Sequence, residues 1–369
     1  MKSETKEKSC CASTSCCSPQ QEVIPQPDIK GDFITGWTDS KIGKIPRVST
    51  QLSRADKWGA LKVRLALRRM KYKVEPGLYA VGDPDPGSMV LVSANYKLSF
   101  DHLRRELKGL KAWILVLDTK GINVWCAAGK GTFGTSELVN RIEVSGLKQV
   151  VDHRKLIVPQ LGAVGVSAHQ VRKLSGFSVI YGPVRASDLP LFLEADMKAA
   201  PEMRRVRFSL YDRLKIIPVE MVLGTRYLLV ISAAFFLLSG ISRSGYSFHW
   251  EVGLVSVLNL VMAYLAGTLI GPMLLPWLPG RSFSIKGATA GLLAFLVLFL
   301  GKLAGGHFLQ VTAWLLLIPA LSSFLTMNFT GASTYTSLSG VKKEMRFAVP
   351  VQIAVAVVGL LLWISGRFI

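Results

Sequence analysis

Charge divides this chain into two parts that no single solvent suits. Residues 216–369 carry nine Lys or Arg and three Asp or Glu, whereas residues 1–215 carry 35 and 21. A segment that long with so few charges cannot fold as an ordinary water-exposed domain, because nothing on its surface would be hydrated. The first part has the charge density of a soluble domain and enough length to bury a core.

From Arg226 onward, five apolar stretches are each long enough to cross a hydrocarbon layer of about 30 Å, which needs about 20 helical residues. They are 226–242, 252–271, 285–304, 307–327 and 347–366. With residues 1–215 on the cytoplasmic side, the inner loops hold Arg281, Lys286, Lys342, Lys343 and Arg346, and the outer ones hold Arg243 and Arg367, with Lys302 near a boundary. That bias follows the positive-inside rule and places Ile369 on the far side. Asn259 is the lone polar group at mid-span, and no acidic residue sits at a span centre, so helix packing by Ser, Gly and Asn is expected rather than a transport path. The hydroxyl-rich loop 328–340 is read either as a docking segment or as a solvated connector.

The first residues, Met1-Lys-Ser-Glu-Thr-Lys-Glu-Lys, have no apolar core behind them and do not read as a secretory signal, so the soluble part is expected in the cytoplasm. Four of the five cysteines, Cys10, Cys11, Cys16 and Cys17, lie in this tail as adjacent pairs without the CxxC spacing of a zinc site. They suit either a plain flexible tail or soft-metal capture. The expected organisation is a tail over 1–45, a cytoplasmic domain over 46–215 and five transmembrane helices over 216–369.

The soluble part opens with a basic amphipathic segment, Trp58 to Met70, whose cationic face suits either anionic lipid or water. Turn signals follow at Pro76-Gly77 and Asp83-Pro-Asp-Pro-Gly87. Strands are then expected at 89–94, 113–117, 156–158 and 177–181, with helices at 100–107, 136–144, 167–174 and 189–199. This alternation predicts an α/β domain with a largely parallel sheet. Ligands of such sheets sit beyond the carboxyl ends of the strands, here the segments 93–95, 118–134, 159–163 and 182–183. These segments are rich in small and amide residues, which favours a large flat ligand over a hydrolytic site. His153 and His169 have no catalytic partner by spacing.

The longest of these segments supports two readings. Gly129-Lys-Gly131-Thr-Phe-Gly134 fits G-x-G-x-x-G, with a helix after it and Asp152 about twenty residues on, as in a dinucleotide site. A P-loop is excluded, because Val124 stands where its first glycine belongs and Gly131 follows Lys130. Alternatively, Asn123 is an N-cap and Gly129 a C′ residue enclosing a short cap helix over Val124 to Ala128. Cys126 then sits near a helix start, where free N–H groups favour a thiolate. A buried, inert thiol is the competing reading.

The segment Asn-Val-Trp-Cys-Ala-Ala-Gly-Lys at 123–130 resembles the signature of the mercury-methylating corrinoid proteins, and 92–100, 159–162 and 181–183 resemble their corrinoid-binding domain. The resemblance covers most of 46–369, including a five-span membrane region. It implies a Rossmann-like corrinoid-binding domain with a cap helix, followed by an all-α transmembrane domain. It further implies cobalamin as cofactor, with Cys126 as the lower axial cobalt ligand and Asn123 and Trp125 positioning it. The corrin would be contacted by Ser93, Ala94, Asn95, Val124, Ala127, Ala128, Gly129, Lys130, Gln160, Leu161, Gly162, Gly182 and Pro183. Ser93 stands where threonine is more usual in that family, which keeps the hydroxyl and loses a methyl. The tail cysteines are not part of the family pattern.

The activity so implied is methyl transfer from methyl-Co(III) cobalamin to Hg(II), giving methylmercury. Because Hg(II) is an electrophile, the methyl must leave with its electron pair or as a radical with an added electron, and a thiolate trans to it donates the charge that favours this. The implied partners are a ferredoxin with two four-iron clusters and a methyl-folate corrinoid methyltransferase at the cytoplasmic membrane. Related corrinoid iron–sulfur proteins share the fold and cap. This sequence has no spaced cysteine set for a cluster and no D-x-H-x-x-G run of the histidine-ligand type. A corrinoid methyl carrier in one-carbon metabolism and a membrane-bound dinucleotide-binding oxidoreductase are the alternative functions.

Overall fold

The computed structural model describes residues 31–247, 249–329 and 338–369. The four tail cysteines and residues 330–337 of the hydroxyl-rich loop lie outside the described residues. In chain order the main elements are β1 (Ile34–Ser40), β2 (Gly43–Val48), α1 (Arg54–Arg64), β3 (Gly77–Val81), β4 (Met89–Ala94), α2 (Lys97–Glu106), β5 (Ala112–Leu117), α3 (Val124–Lys130), α4 (Thr135–Val144), α5 (Leu147–Val150), β6 (Lys155–Val158), α6 (Ala168–Ser175), β7 (Ser178–Tyr181) and α7 (Leu189–Glu194). The apolar part holds α8 (Leu210–Leu238), α9 (Trp250–Leu265), α10 (Gly271–Leu274), α11 (Phe283–Leu300), α12 (Phe308–Asn328) and α13 (Leu338–Ser365). The chain separates into a sheet unit, 31–53 with 73–200, and a helical unit, 54–72 with 201–369.

The sheet unit is built on a mixed seven-stranded sheet in the order β1-β2-β3-β5-β4-β6-β7. The strands β5, β4, β6 and β7 run parallel, whereas β3 joins β5 antiparallel and β1 forms a hairpin with β2. Every residue of β3 and β5 is buried, which explains their uninterrupted apolar sequences: a strand covered on both faces has no polar side to alternate with. Each fully buried Leu or Ile there contributes about 1.5–3 kcal/mol.

Residues 34–45, expected in the tail, instead form most of the edge hairpin. The strand β1 alternates half-buried and exposed positions through Ile34-Thr-Gly-Trp-Thr-Asp-Ser40, and its polar alternate residues disguise it. The helix expected over 189–199 ends at Glu194, because Asp196 and Met197 adopt left-handed backbone (φ 52° and 59°) that breaks the helical run.

On α2, the buried Arg104 guanidinium pairs with Asp101 at 2.8 Å and also donates to the carbonyls of Ser49 and Gln51. Lys97 completes the cluster with a 2.9 Å bond to Asp101. This network ties the strand-β2 exit to the helix that covers the sheet.

The helical unit contains five helices long and apolar enough to cross a membrane: Leu210–Leu238, Trp250–Leu274, Phe283–Leu300, Phe308–Asn328 and Gly340–Ser365. The first begins earlier than hydropathy alone suggests, because a capping box between Ser209 and Asp212 starts α8 among charged residues. The second is continuous through a π-helical stretch, Ala266–Ile270. Small residues bring α11 and α12 together, and a Cβ on Gly287 or Gly291 would meet α12 at 2.7 Å. Hydroxyls close the seam: Ser322 donates to Gly287 O and Ser323 to Ser284 O, each at 2.8 Å, while Thr326 donates to Gly267 O at 2.9 Å and ties α12 to the π-helical stretch of the second span. Asn259 donates to Val255 O and Leu303 O, so the mid-span polar group works in helix packing. The basic segment contributes α1, which packs with α8 in this same unit, and it stops at Arg64 before left-handed Ala66 and Arg68.

Candidate functional site

The parallel strands in chain order β4, β5, β6, β7 stand in the spatial order β5-β4-β6-β7, so successive connections leave β4 in opposite directions. Such a reversal opens a crevice beyond the carboxyl ends of β4 and β6. All four segments singled out from the sequence follow parallel strands on that edge, and α3 packs against β4 and against a single turn of 3-10 helix at Gln160–Gly162.

Asn95 organises the approach to α3. Its buried Oδ1 accepts from the backbone N–H of Thr119 (3.1 Å), the Thr119 hydroxyl (2.8 Å) and the backbone N–H of Gly121 (2.9 Å), while its Nδ2 donates to Asp118 (3.1 Å). The Thr119 hydroxyl in turn donates to Ile122 O at 2.7 Å. Left-handed backbone at Lys120 and Gly121 (φ 60° and 73°) makes the tight reversal these bonds hold. The carboxamide of Asn95 is thus spent on the loop, a role the sequence reading did not give it. Burial pushes the Asp118 carboxyl up, but the Lys120 ammonium, its backbone N–H and Arg141 outweigh this and leave it below the ordinary range.

The helix α3 starts where Asn123 Oδ1 accepts the Cys126 N–H at 2.9 Å and ends at left-handed Gly131 (φ 83°). It therefore runs one turn-fraction past Gly129, which lies inside it rather than after it. Val124, Ala127 and Ala128 are buried at helical spacing, which leaves Trp125, Cys126, Gly129 and Lys130 on the outer face. Cys126 is half-buried with a free thiol, and Trp125 is 38% exposed.

The loop after β6 lies close against this helix. A Cβ on Gly165 would be 2.2 Å from Phe133 O and 3.1 Å from the Ala128 Cα, and one on Gly162 would be 2.4 Å from the Phe133 ring. The Thr135 N–H donates to Gly165 O and its hydroxyl accepts from Ser167 N–H at 2.8 Å, while the Tyr181 hydroxyl donates to Val166 O at 2.6 Å. Gln160 takes its backbone bond to Pro183 O, next to Gly182, but its side-chain Oε1 is buried with no hydrogen-bond partner. Leu161 is half-buried and Val164 is 81% exposed. Ser93 and Ala94 are buried at the end of β4.

An orphaned amide oxygen, an outward thiol and uncovered apolar side chains at one sheet edge suit a large ligand with an apolar body and peripheral N–H donors. They do not suit a dinucleotide fingerprint. Its first glycine follows a strand directly, whereas Gly129 lies within α3 and Asp152 precedes β6, at the opposite end from that strand's carboxyl terminus. His153 is likewise structural: Nε2 bonds Ser88 O at 2.9 Å and Nδ1 accepts the Lys155 N–H at 3.2 Å. Among the described residues, no group of three or more His, Cys, Asp or Glu forms a metal cluster.

Residues 61–193 match the family of the CO dehydrogenase/acetyl-CoA synthase delta subunit. The chain is also similar to the acetyl-CoA decarbonylase/synthase complex subunit gamma of Methanopyrus kandleri, with 35% identity over 130 residues, 35% of this chain and 28% of the relative. The corresponding subunit of Archaeoglobus fulgidus is 33% identical over 128 residues, 34% of this chain and 27% of the relative. The corrinoid/iron–sulfur protein large subunit of Moorella thermoacetica is 29% identical over 127 residues, 34% of this chain and 28% of the relative. The chain thus spans less than a third of the length of these curated relatives. The matched region contains β4 to β7 and the whole cap segment. Relatedness to corrinoid iron–sulfur proteins is supported on these grounds, and none of these names refers to mercury.

Proposed function

We propose that the sheet unit binds a corrinoid at the carboxyl edge of β4 and β6, with Cys126 as the lower axial cobalt ligand, and that the five apolar helices hold it at the cytoplasmic membrane. The observation that carries this reading is the half-exposed Cys126, whose backbone the Asn123 cap places on the outer face of α3, the helix that packs against the turn carrying the orphaned Gln160 oxygen. A corrinoid, when bound, supplies a cobalt centre able to accept and release a methyl group. The chain's own residues hold and tune it. The Cys126 thiolate would ligate the cobalt and donate charge to it. Gln160 Oε1 would accept an N–H from a peripheral amide, Trp125 and Val164 would cover apolar edge, and Ser93, Ala94, Gly162, Gly182 and Pro183 would form the floor.

The activity is corrinoid-dependent methyl transfer, and two acceptors follow from different observations. The relatives' names favour a methyl carrier in acetyl-CoA-type one-carbon metabolism. The cap sequence Asn123 to Lys130 favours the finer reading, Hg(II) as substrate and methylmercury as product, because a thiolate ligand promotes departure of a methyl carrying negative charge toward a soft electrophile. A two-cluster ferredoxin would supply electrons, and a methyl-folate corrinoid methyltransferase the methyl group.

Full-length protein reconstituted with cobalamin tests both levels. A sulfur-ligated cobalt spectrum that disappears in Cys126→Ala is expected, and an unchanged spectrum overturns the ligand assignment. Membranes supplied with methyl-folate donor, reductant and Hg(II) should form methylmercury only with Cys126 intact. Methyl delivery to an acetyl-CoA synthase without methylmercury would leave the one-carbon carrier as the function.

A further inference from the structure

Among the described residues, the helical unit has a groove that sets exposed cations against an apolar wall. It lies where α11 and α13 begin and has a volume of about 650 Å³. Its walls include Ile285, Ala288, Phe347 and Val351, of which Ile285, Phe347 and Val351 are exposed, so they face hydrocarbon in a membrane. Arg281 and Lys343 also line it, from just before α11 and from the first turns of α13. Both cations are exposed, and neither forms an ion pair with a described residue. The one acid in the lining, Glu344, accepts the Ser284 N–H at 2.6 Å and so ties α13 to the first turn of α11, and its single charge leaves the lining net positive.

Two cations without an ion pair among the described residues, at the mouth of an apolar channel, match an amphiphile with an anionic head and a hydrocarbon tail. We propose that this groove binds one anionic phospholipid, its phosphate between Arg281 and Lys343 and an acyl chain along Ile285, Ala288, Phe347 and Val351. The same end of the bundle carries Lys286, Lys342 and Arg346, whereas Arg243, Lys302 and Arg367 are at the other. The excess of positive charge assigns the groove to the cytoplasmic leaflet, where anionic lipids are attracted to basic sites. Lys286 is not part of the headgroup site, since it donates to the carbonyls of Leu275 and Leu278.

Native mass spectrometry of the full chain released from detergent, titrated with phosphatidylglycerol, phosphatidylcholine or inorganic phosphate, tests the site. Phosphatidylglycerol should be retained preferentially, and R281Q/K343Q should weaken it by roughly 25-fold, about fivefold per cation. Ala288→Trp fills the apolar limb with both cations intact and should also release the lipid. The variant K302Q, at the other end, should bind as wild type does. Equal retention of phosphatidylcholine, or retention unchanged in R281Q/K343Q, overturns the site. Saturable inorganic phosphate binding that displaces the lipid would make it a free-phosphate site, and a second copy of the chain in place of lipid would make it a dimer interface; either result also overturns the proposal.

Discussion

The Cys126 N–H donates to Oδ1 of Asn123 at 2.9 Å, so one carboxamide both starts α3 and holds the backbone that carries the thiol, two residues inside it. An N-cap of this kind is worth about 1 kcal/mol. Asn123→Ala should therefore increase amide exchange across 124–130 by about fivefold and quicken alkylation of Cys126, with Asn123→Asp close to wild type. Exchange unaltered in Asn123→Ala would show that neighbouring packing, not the cap, sets the thiol.

The Asn95 side chain makes a stronger demand. Replacing it with Leu leaves the Thr119 and Gly121 N–H groups buried without their acceptor, and each costs about 1–3 kcal/mol. Asn95→Leu should lower the melting temperature of the sheet unit and loosen the 118–122 reversal enough for trypsin to cut after the exposed Lys120. A protein that resists trypsin as wild type does would mean the 118–122 reversal holds itself.

The reversal should also respond to acid. The Asp118 carboxyl titrates below its ordinary value near 3.8 when folded, so it binds its proton more readily unfolded. Its stabilisation is complete above the unfolded value and is lost as pH falls through the lowered folded one. Amide hydrogen exchange across 118–122 should thus report a looser loop only below about pH 4, and Asp118→Asn should remove that step. An identical acid profile in Asp118→Asn would move the transition to another carboxylate.

The strands β4 to β7 are legible because apolar runs such as Met89 to Ala94 and Ala112 to Leu117 are bounded by turn residues. The hairpin β1–β2 is not, since Thr38, Asp39 and Ser40 look like tail and only pairing with Gly43 to Ile45 makes them a strand. The cap helix follows from Asn123 and Cys126 being local neighbours. The work of Asn95 is invisible in sequence because its partners, Asp118, Thr119 and Gly121, are 23 to 26 residues away. Gly165 carries no local signal either, as the Phe133 carbonyl that excludes a side chain there belongs to another loop.

That exclusion predicts a site-specific defect. Gly165→Ala would place a Cβ 2.2 Å from Phe133 O, with Ala128 close behind, so the loop must move off α3. Overpacking of this kind costs about 1–3 kcal/mol. The variant should melt lower and bind cobalamin more weakly, whereas Gly176→Ala, at a left-handed position with open space around it, should lose stability without losing affinity. Equal affinity loss in both would point to global unfolding rather than a displaced cap.

In the helical unit, α11 approaches α12 closely where positions 287 and 291 have no side chain. A Cβ on Gly287 would be 2.7 Å from the Thr326 Cβ and 2.8 Å from Ser322 O, and the Ser322 hydroxyl that donates to Gly287 O at 2.8 Å would lose its partner as the helices part. Gly287→Leu should therefore make the detergent-solubilised helices unfold at lower denaturant. If the helices serve as an anchor, cobalamin binding and the sulfur-ligated cobalt spectrum should survive in the same sample, because Cys126, Asn123 and Gln160 belong to a separately packed sheet unit. Loss of that spectrum in a variant whose sheet unit still melts normally would give the helical unit a direct part in holding the cofactor.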